Sequence, residues 1–194
     1  ASIALMLSLV DGKGGLAELA KEKERARLCK APGATGGIAT TITSSAGESL
    51  YVGSNTLDPG RRHVLTWVGG GGPDGPATQW ELIPAEDLGG APLFRIKNLG
   101  QQEFLYVGSN TLPCGQRRRV LTWIGGGAVE GATGVWEVHA VGGFTFKLRN
   151  YEKGEYLYVG SSSLDPNRRL ALTWIGGGEV EGDAGLWRIP GLCV

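Results

Sequence analysis

The chain has 194 residues, among them 34 Gly, 9 Pro, 6 Trp, 3 Cys and 2 His, and its 19 basic side chains balance 19 acidic ones. That neutrality removes the long-range attraction a general nucleic-acid or anionic-membrane binder needs. The glycines cluster without a G-X-Y period, which excludes collagen. No apolar run approaches the roughly 18 residues of a bilayer span, so no membrane insertion is expected.

The chain opens on the apolar run of residues 1–10, which reads first as a strand and second as the remnant of a signal segment. Strong helix formers follow and predict one helix at about 15–29. Within it Glu24 and Arg27 stand at i,i+3, while Leu16, Leu19 and Ala20 form only a thin apolar stripe. At roughly 14 residues such a helix is marginal alone and needs a surface to lean on. Residues 32–37, rich in Gly with one Pro, read as a linker. Residues 1–35 are therefore expected to be a leader, and 36–194 the main domain.

That domain repeats itself. Leu-Tyr-Val-Gly-Ser begins at Leu50, Leu105 and Leu157, and Leu-Thr-Trp ends at Trp67, Trp123 and Trp174. A further Trp, followed by a charged and an aliphatic residue, falls at Trp80, Trp136 and Trp187, at offsets of 56 and 51. Three markers in one order define three copies of about 53 residues, near 36–89, 90–141 and 142–194. Each copy alternates with period two between Gly, Pro and Asn punctuation and parses into four short strands. In the second copy these are 94–98, 104–108, 120–124 and 135–138. The first copy is out of step at Ile38–Ile42. Three copies of four strands avoid open sheet edges by closing into a barrel. The expected fold class is all-β: a β-trefoil of three repeats and twelve short strands, with a short N-terminal helical leader.

The runs Trp80-Glu-Leu-Ile-Pro, Phe94-Arg-Ile-Lys-Asn, Phe104-Leu-Tyr-Val, Val120-Leu-Thr-Trp and Trp136-Glu-Val resemble the ricin B-chain-like lectin trefoils over about 160 residues. In that family a strand-four Trp sits in the core, an aromatic at the end of strand three stacks on a sugar ring, and an Asp in strand two holds its hydroxyls. The resemblance assigns the core role to Trp80, Trp136 and Trp187 and the stacking role to Trp67, Trp123 and Trp174. It fails at the Asp, replaced by Tyr51, Tyr106 and Tyr158, and at the Gln two before the core Trp, replaced by Thr78, Gly134 and Gly185. The sugar therefore does not carry over. The Arg-Arg-x-x-Leu-Thr-Trp segment and the leader also resemble insect hemolymph lipoproteins of low molecular weight, which join a longer helical segment to a trefoil.

The residues themselves leave the strand-three Trp open between two places. A flat indole at a barrel rim suits a pyranose face, whereas alternation sets Trp123 on the same face as Leu121, as in a core. The polar segment after strand two holds the other candidates: Asn55, Asn110 and Ser162 as partners for hydroxyls, and Asp58 and Asp165 either in that role or as starts of β-turns. Arg117–Arg119 form a basic knot too small for nucleic acid.

Catalytic chemistry finds little footing. His63 and His139 occupy non-equivalent places, no His/Cys/carboxylate set has metal spacing, and the Gly run through Gly72 lacks the Lys-Ser/Thr of a phosphate loop. Glu130 and Glu181 recur with the repeat, as turn residues do. No enzyme, cofactor or metal is expected. Because a trefoil brings its termini together, Cys29 and Cys193 are the candidate disulfide, with Cys114 then free or paired between chains; the alternative is three reduced thiols in a cytosolic protein. The expected function is a secreted, multivalent carbohydrate-binding module for glycans or glycoproteins, with up to three quasi-equivalent sites and oligomerisation through Cys114 or the helix. The alternatives are a structural, storage or protein-interaction trefoil, and last a protease inhibitor acting through Pro113–Gln116.

Overall fold

Strand-forming alternation is realised in all three copies. The computed structural model describes residues 36–193, apart from 69–72, 74, 87–89, 114, 130, 177 and 181. The expected helix and N-terminal strand lie outside the described residues. The first copy contributes β1 (Ile38–Thr41), β2 (Thr43–Ser44), β3 (Ser49–Asp58), β4 (Arg61–Trp67) and β5 (Gln79–Pro84). The second contributes β6 (Leu93–Asn98), β7 (Phe104–Thr111), β8 (Arg117–Trp123) and β9 (Val135–Gly142). The third contributes β10 (Thr145–Asn150), β11 (Tyr156–Asp165), β12 (Arg168–Trp174) and β13 (Trp187–Arg188). A short 3-10 turn precedes the last strand of each copy, and no α-helix occurs among the described residues.

Twelve expected strands become thirteen because the opening strand of copy one is divided at Ile42. β1 pairs with β5 while β2 pairs with β13. This change of partner accounts for the copy being out of step, and Ile42 itself is fully buried.

The pairings build two closed layers. In one, β5, β6, β9, β10 and β13 pair in succession, and β2 and β1 complete the ring. In the other, the hairpins β3–β4, β7–β8 and β11–β12 meet through β4–β8, β8–β12 and β12–β4, a closed triangle. Pairing around both circuits leaves no gap through which another strand could enter the ring.

The strand-four indoles fill the space between the layers. Trp80, Trp136 and Trp187 have no exposed surface. Their Nε1 groups donate to the carbonyls of Leu50, Leu105 and Leu157 at 2.9, 3.2 and 3.1 Å. Each indole thus combines a large apolar area with a satisfied N–H, as burial requires. The triangle strands are buried on both faces. Val64, Val120 and Ala171 join the main core. Leu65, Leu121 and Leu172 are buried on the opposite face, under the hairpin tips.

One polar feature of the interior was not foreseen. Glu48, Glu103 and Glu155 are all buried. Each accepts a hydroxyl of its own copy: Thr66 on Glu48 at 2.7 Å, Thr122 on Glu103 at 2.6 Å, Thr173 on Glu155 at 2.6 Å. Each also takes a guanidinium of the preceding copy: Arg62 reaches Glu103 at 2.8 Å, Arg118 reaches Glu155 at 2.9 Å, and Arg169 reaches Glu48 at 3.2 Å. These ion pairs close a cycle around the pseudo-threefold axis.

Candidate functional site

The segment read from sequence as a polar loop after strand two is hairpin. β3 runs to Asp58 and β4 starts at Arg61, so only Pro59 and Gly60 turn the chain. Between the pairs Val52↔Val64 and Thr56↔Arg62, β3 spends four steps against two on β4. The same bulge falls between Val107 and Thr111 and between Val159 and Ser163. A bulge breaks the alternation and turns side chains outward, which is why Asn55, Asn110 and Ser162 look like loop residues and stand exposed. Gly53, Gly108 and Gly160 enter the bulges where a Cβ would stand 3.1–3.3 Å from Leu65, Leu121 and Leu172. Absence of a side chain lets the bulge lie directly on that leucine layer.

The strand-three Trp residues are at the rim. Trp123 is 40% exposed, and Trp67 and Trp174 are half-buried. Alternation suggested a core place beside Leu121, and Leu121 is indeed buried; but its face is the outer one of the triangle, and by Trp123 the strand has run out from under the hairpins. The glycines after the Trp have a role here. A Cβ on Gly125 would lie 2.5 Å from the Trp123 Nε1, and one on Gly176 would lie 2.4 Å from that of Trp174. The chain folds back against the indole edge, and only glycine permits that approach.

The surroundings of each strand-three Trp come from two copies. The Trp of one copy meets the hairpin turn of the preceding one. The Val68 N–H donates to Asn167 at 2.7 Å, Ile124 to Gly60 at 2.9 Å, and Ile175 to Gln116 at 3.0 Å. Between copies three and one this forms an open recess of about 540 Å³, lined by Tyr51, Ser54, Trp67, Asp165, Asn167 and Arg168 among others. Tyr51 stands edge-on to Trp67, with centroids 6.4 Å apart and planes at 73°. Trp67 and Asp165, distant in sequence, are brought together here, and Asp58 and Trp123 are their counterparts between copies one and two. There Trp123 packs on Gly60, 3.1 Å from the position of a Cβ.

The carboxylates have a structural task as well. Asp58 Oδ1 accepts the Gly60 N–H at 3.0 Å and its Oδ2 the Arg61 Nε at 2.6 Å. Asp165 treats Asn167 and Arg168 in the same way. The arginine hydrogen bond foremost, aided by the turn N–H, holds both carboxyls below the usual range. Tyr51 and Tyr106 are buried beside these arginines. Burial raises their hydroxyls, offset in part by Arg168 and Arg61 respectively.

Copy two departs from this pattern. Its turn is Pro113 through Gln116, with no Asp, and the buried Arg117 Nε has no hydrogen-bond partner among the described residues. Trp174 pairs in register with Arg117. Two of the three aromatic sites therefore carry the full Tyr–Asp–Arg set.

Elsewhere, His139 meets Glu137 at 3.0 Å and Arg149 meets the same carboxylate at 2.9 Å. Burial pushes Glu137 up, but Arg149 and His139 outweigh it and hold the carboxyl low. His63 lies far from this group, in the triangle. No group of three metal-ligating side chains occurs among the described residues. Cys193 is disulfide-bonded, while Cys29 and Cys114 lie outside the described residues.

No family model matches the chain, and no curated protein matches it. Solved structures do. A Caenorhabditis elegans protein of unknown function is 17% identical, with 82% of this chain and 98% of that one covered at a TM-score of 0.63. ThreeFoil, a designed threefold-symmetric protein, is 18% identical over 78% of this chain and 97% of its own, at 0.58. The SDF2-like protein from Arabidopsis thaliana is 11% identical over 79% and 92%, at 0.61. At these identities the likeness establishes the fold, which is trefoil-like.

Proposed function

We propose that the chain is a β-trefoil of three copies of about 53 residues acting as a non-enzymatic carbohydrate-binding module. The observation that carries this reading is the recess between copies three and one, where an indole and a phenol ring edge stand beside Asp165, Asn167, Arg168 and Ser54. Trp67 supplies a π-face for the apolar side of a pyranose, and the polar groups supply donors and acceptors for its hydroxyls. The equivalent pair Trp123 and Asp58 provides a second site, and Trp174 a third of different polarity. Sites that are individually weak gain avidity on repeated glycans or glycoproteins. The disulfide at Cys193, for which Cys29 is the proposed partner, favours a secreted protein.

A glycan array with Trp fluorescence on each hit tests this. Selective binding with an indole spectral shift is expected. Trp67→Ala should lower array affinity at least tenfold while leaving the unfolding midpoint within a few degrees. A blank array on folded protein overturns the reading.

One observation favours a second reading, a structural or protein-interaction trefoil. Asp58 and Asp165 are already engaged by their own turns and arginines, so the polar groups have tasks without a sugar.

A further inference from the structure

The three copies differ most at one position of the triangle strands. Where copy one has His63 and copy three has Leu170, copy two has Arg119. Leu170 at the equivalent place means that the fold has no requirement for a cation there. Arg119 nonetheless sits half-buried, and its Nε is enclosed with no hydrogen-bond partner. No carboxylate among the described residues pairs with it. A half-buried guanidinium with no carboxylate paired to it is unfavourable unless an anion from outside the chain neutralises it.

The space beside it has the shape for such a group. Arg119 lines a recess of about 250 Å³ between the hairpin tips of copies one and two; it is separate from the recess between copies three and one but shares Asp58 and Arg61 with the second aromatic site. Leu57, Leu112 and Leu121 give it an apolar wall, and Asn110 and Thr111 add polar groups. Asp58 is the one carboxylate lining it among the described residues, and Arg61 neutralises that charge at 2.6 Å. The recess therefore carries one net positive charge from Arg119. His63, in register with Leu121, does not line the recess but stands near enough to Arg119 to feel its charge. Burial first, and the charge of Arg119 second, lower the pKa of His63, so the imidazole is neutral at neutral pH and leaves the charge to Arg119.

We propose that this recess binds the carboxylate of a small organic acid: Arg119 takes the carboxylate, and Leu57, Leu112 and Leu121 cover an apolar body. The apolar wall lowers the local dielectric and strengthens the charge-assisted hydrogen bond. The same wall selects against an anion with no apolar part.

Benzoate and its neutral isostere benzamide test the assignment on the full chain at constant ionic strength. The chain has two histidines, so their ring proton resonances report two places at once. Benzoate is expected to shift His63 saturably and to raise its pKa, because a bound anion offsets the charge of Arg119. His139, paired with Glu137 on another face, should not move. Benzamide should bind at least tenfold more weakly, and acetate more weakly than benzoate. Arg119→Leu, the residue copy three uses, should abolish the shift without lowering the unfolding midpoint. Equal binding of benzoate and benzamide, or an unchanged benzoate response in Arg119→Leu, overturns the proposal. So does a His63 shift that follows salt concentration without saturating.

Discussion

Asp58 and Asp165 show how one side chain holds a turn and faces a recess at the same time. Their carboxyls titrate below the usual range because a guanidinium and a turn N–H bind the charged form. A group whose folded pKa is depressed contributes stability that is fully present above its unfolded pKa, near 3.9 for Asp. That contribution is lost as pH falls through the folded value. The unfolding midpoint should therefore drop below about pH 4, and the double variant Asp58→Asn, Asp165→Asn should show a shallower drop in thermal melts. The buried glutamates present the harsher case. Truncating one partner of a buried ion pair leaves the other charge uncompensated, at about 3–5 kcal/mol. Glu103→Ala strands both Arg62 and the Thr122 hydroxyl, and denaturant unfolding should register a loss of about that size. Glu103, a lone acidic residue between two strands, has no periodic signature in the sequence. The Thr of Leu-Thr-Trp was a visible clue: Thr66, Thr122 and Thr173 recur at one place and have no exposed surface.

At the level of elements, the strand cores were legible and their outer halves were not. Alternation over Gln79–Pro84 or Thr145–Asn150 follows from one face meeting the core, and it predicts strands directly. Beyond Gly53, Gly108 and Gly160 the bulge shifts the phase, and polar residues follow one another on exposed backbone. That pattern is the pattern of a loop, although the hydrogen bonds continue through Thr56↔Arg62 and Asp58↔Arg61. The long hairpins matter for the site: they carry each turn across to the Trp of the following copy. The folded chain pairs Trp67 with Asp165, and Trp123 with Asp58.

For the molecule as a whole, no copy encloses its own core. Each Trp–Leu hydrogen bond lies within a copy, but every Glu–Arg ion pair and every contact between the triangle strands joins two copies. Deleting copy three, residues 142–194, opens both circuits and exposes Leu50, Val64 and their neighbours. Such a truncated chain is expected to lack a cooperative thermal transition by near-ultraviolet dichroism, whereas the full chain unfolds in one step.

The sequence by itself determined the all-β class, the threefold repetition and the place of most strands, because each follows from periodicity within a stretch of chain; the core place of Trp80, Trp136 and Trp187 was implied by the family resemblance. It also contained every candidate residue of the aromatic sites. Tertiary structure alone decided whether the strand-three Trp is core or rim, which copy supplies the carboxylate beside it, and where Glu48, Glu103, Glu155 and Arg119 lie. Those outcomes depend on how one copy is rotated against the next. That rotation is set by ring closure, a property of all three copies together that no local pattern encodes.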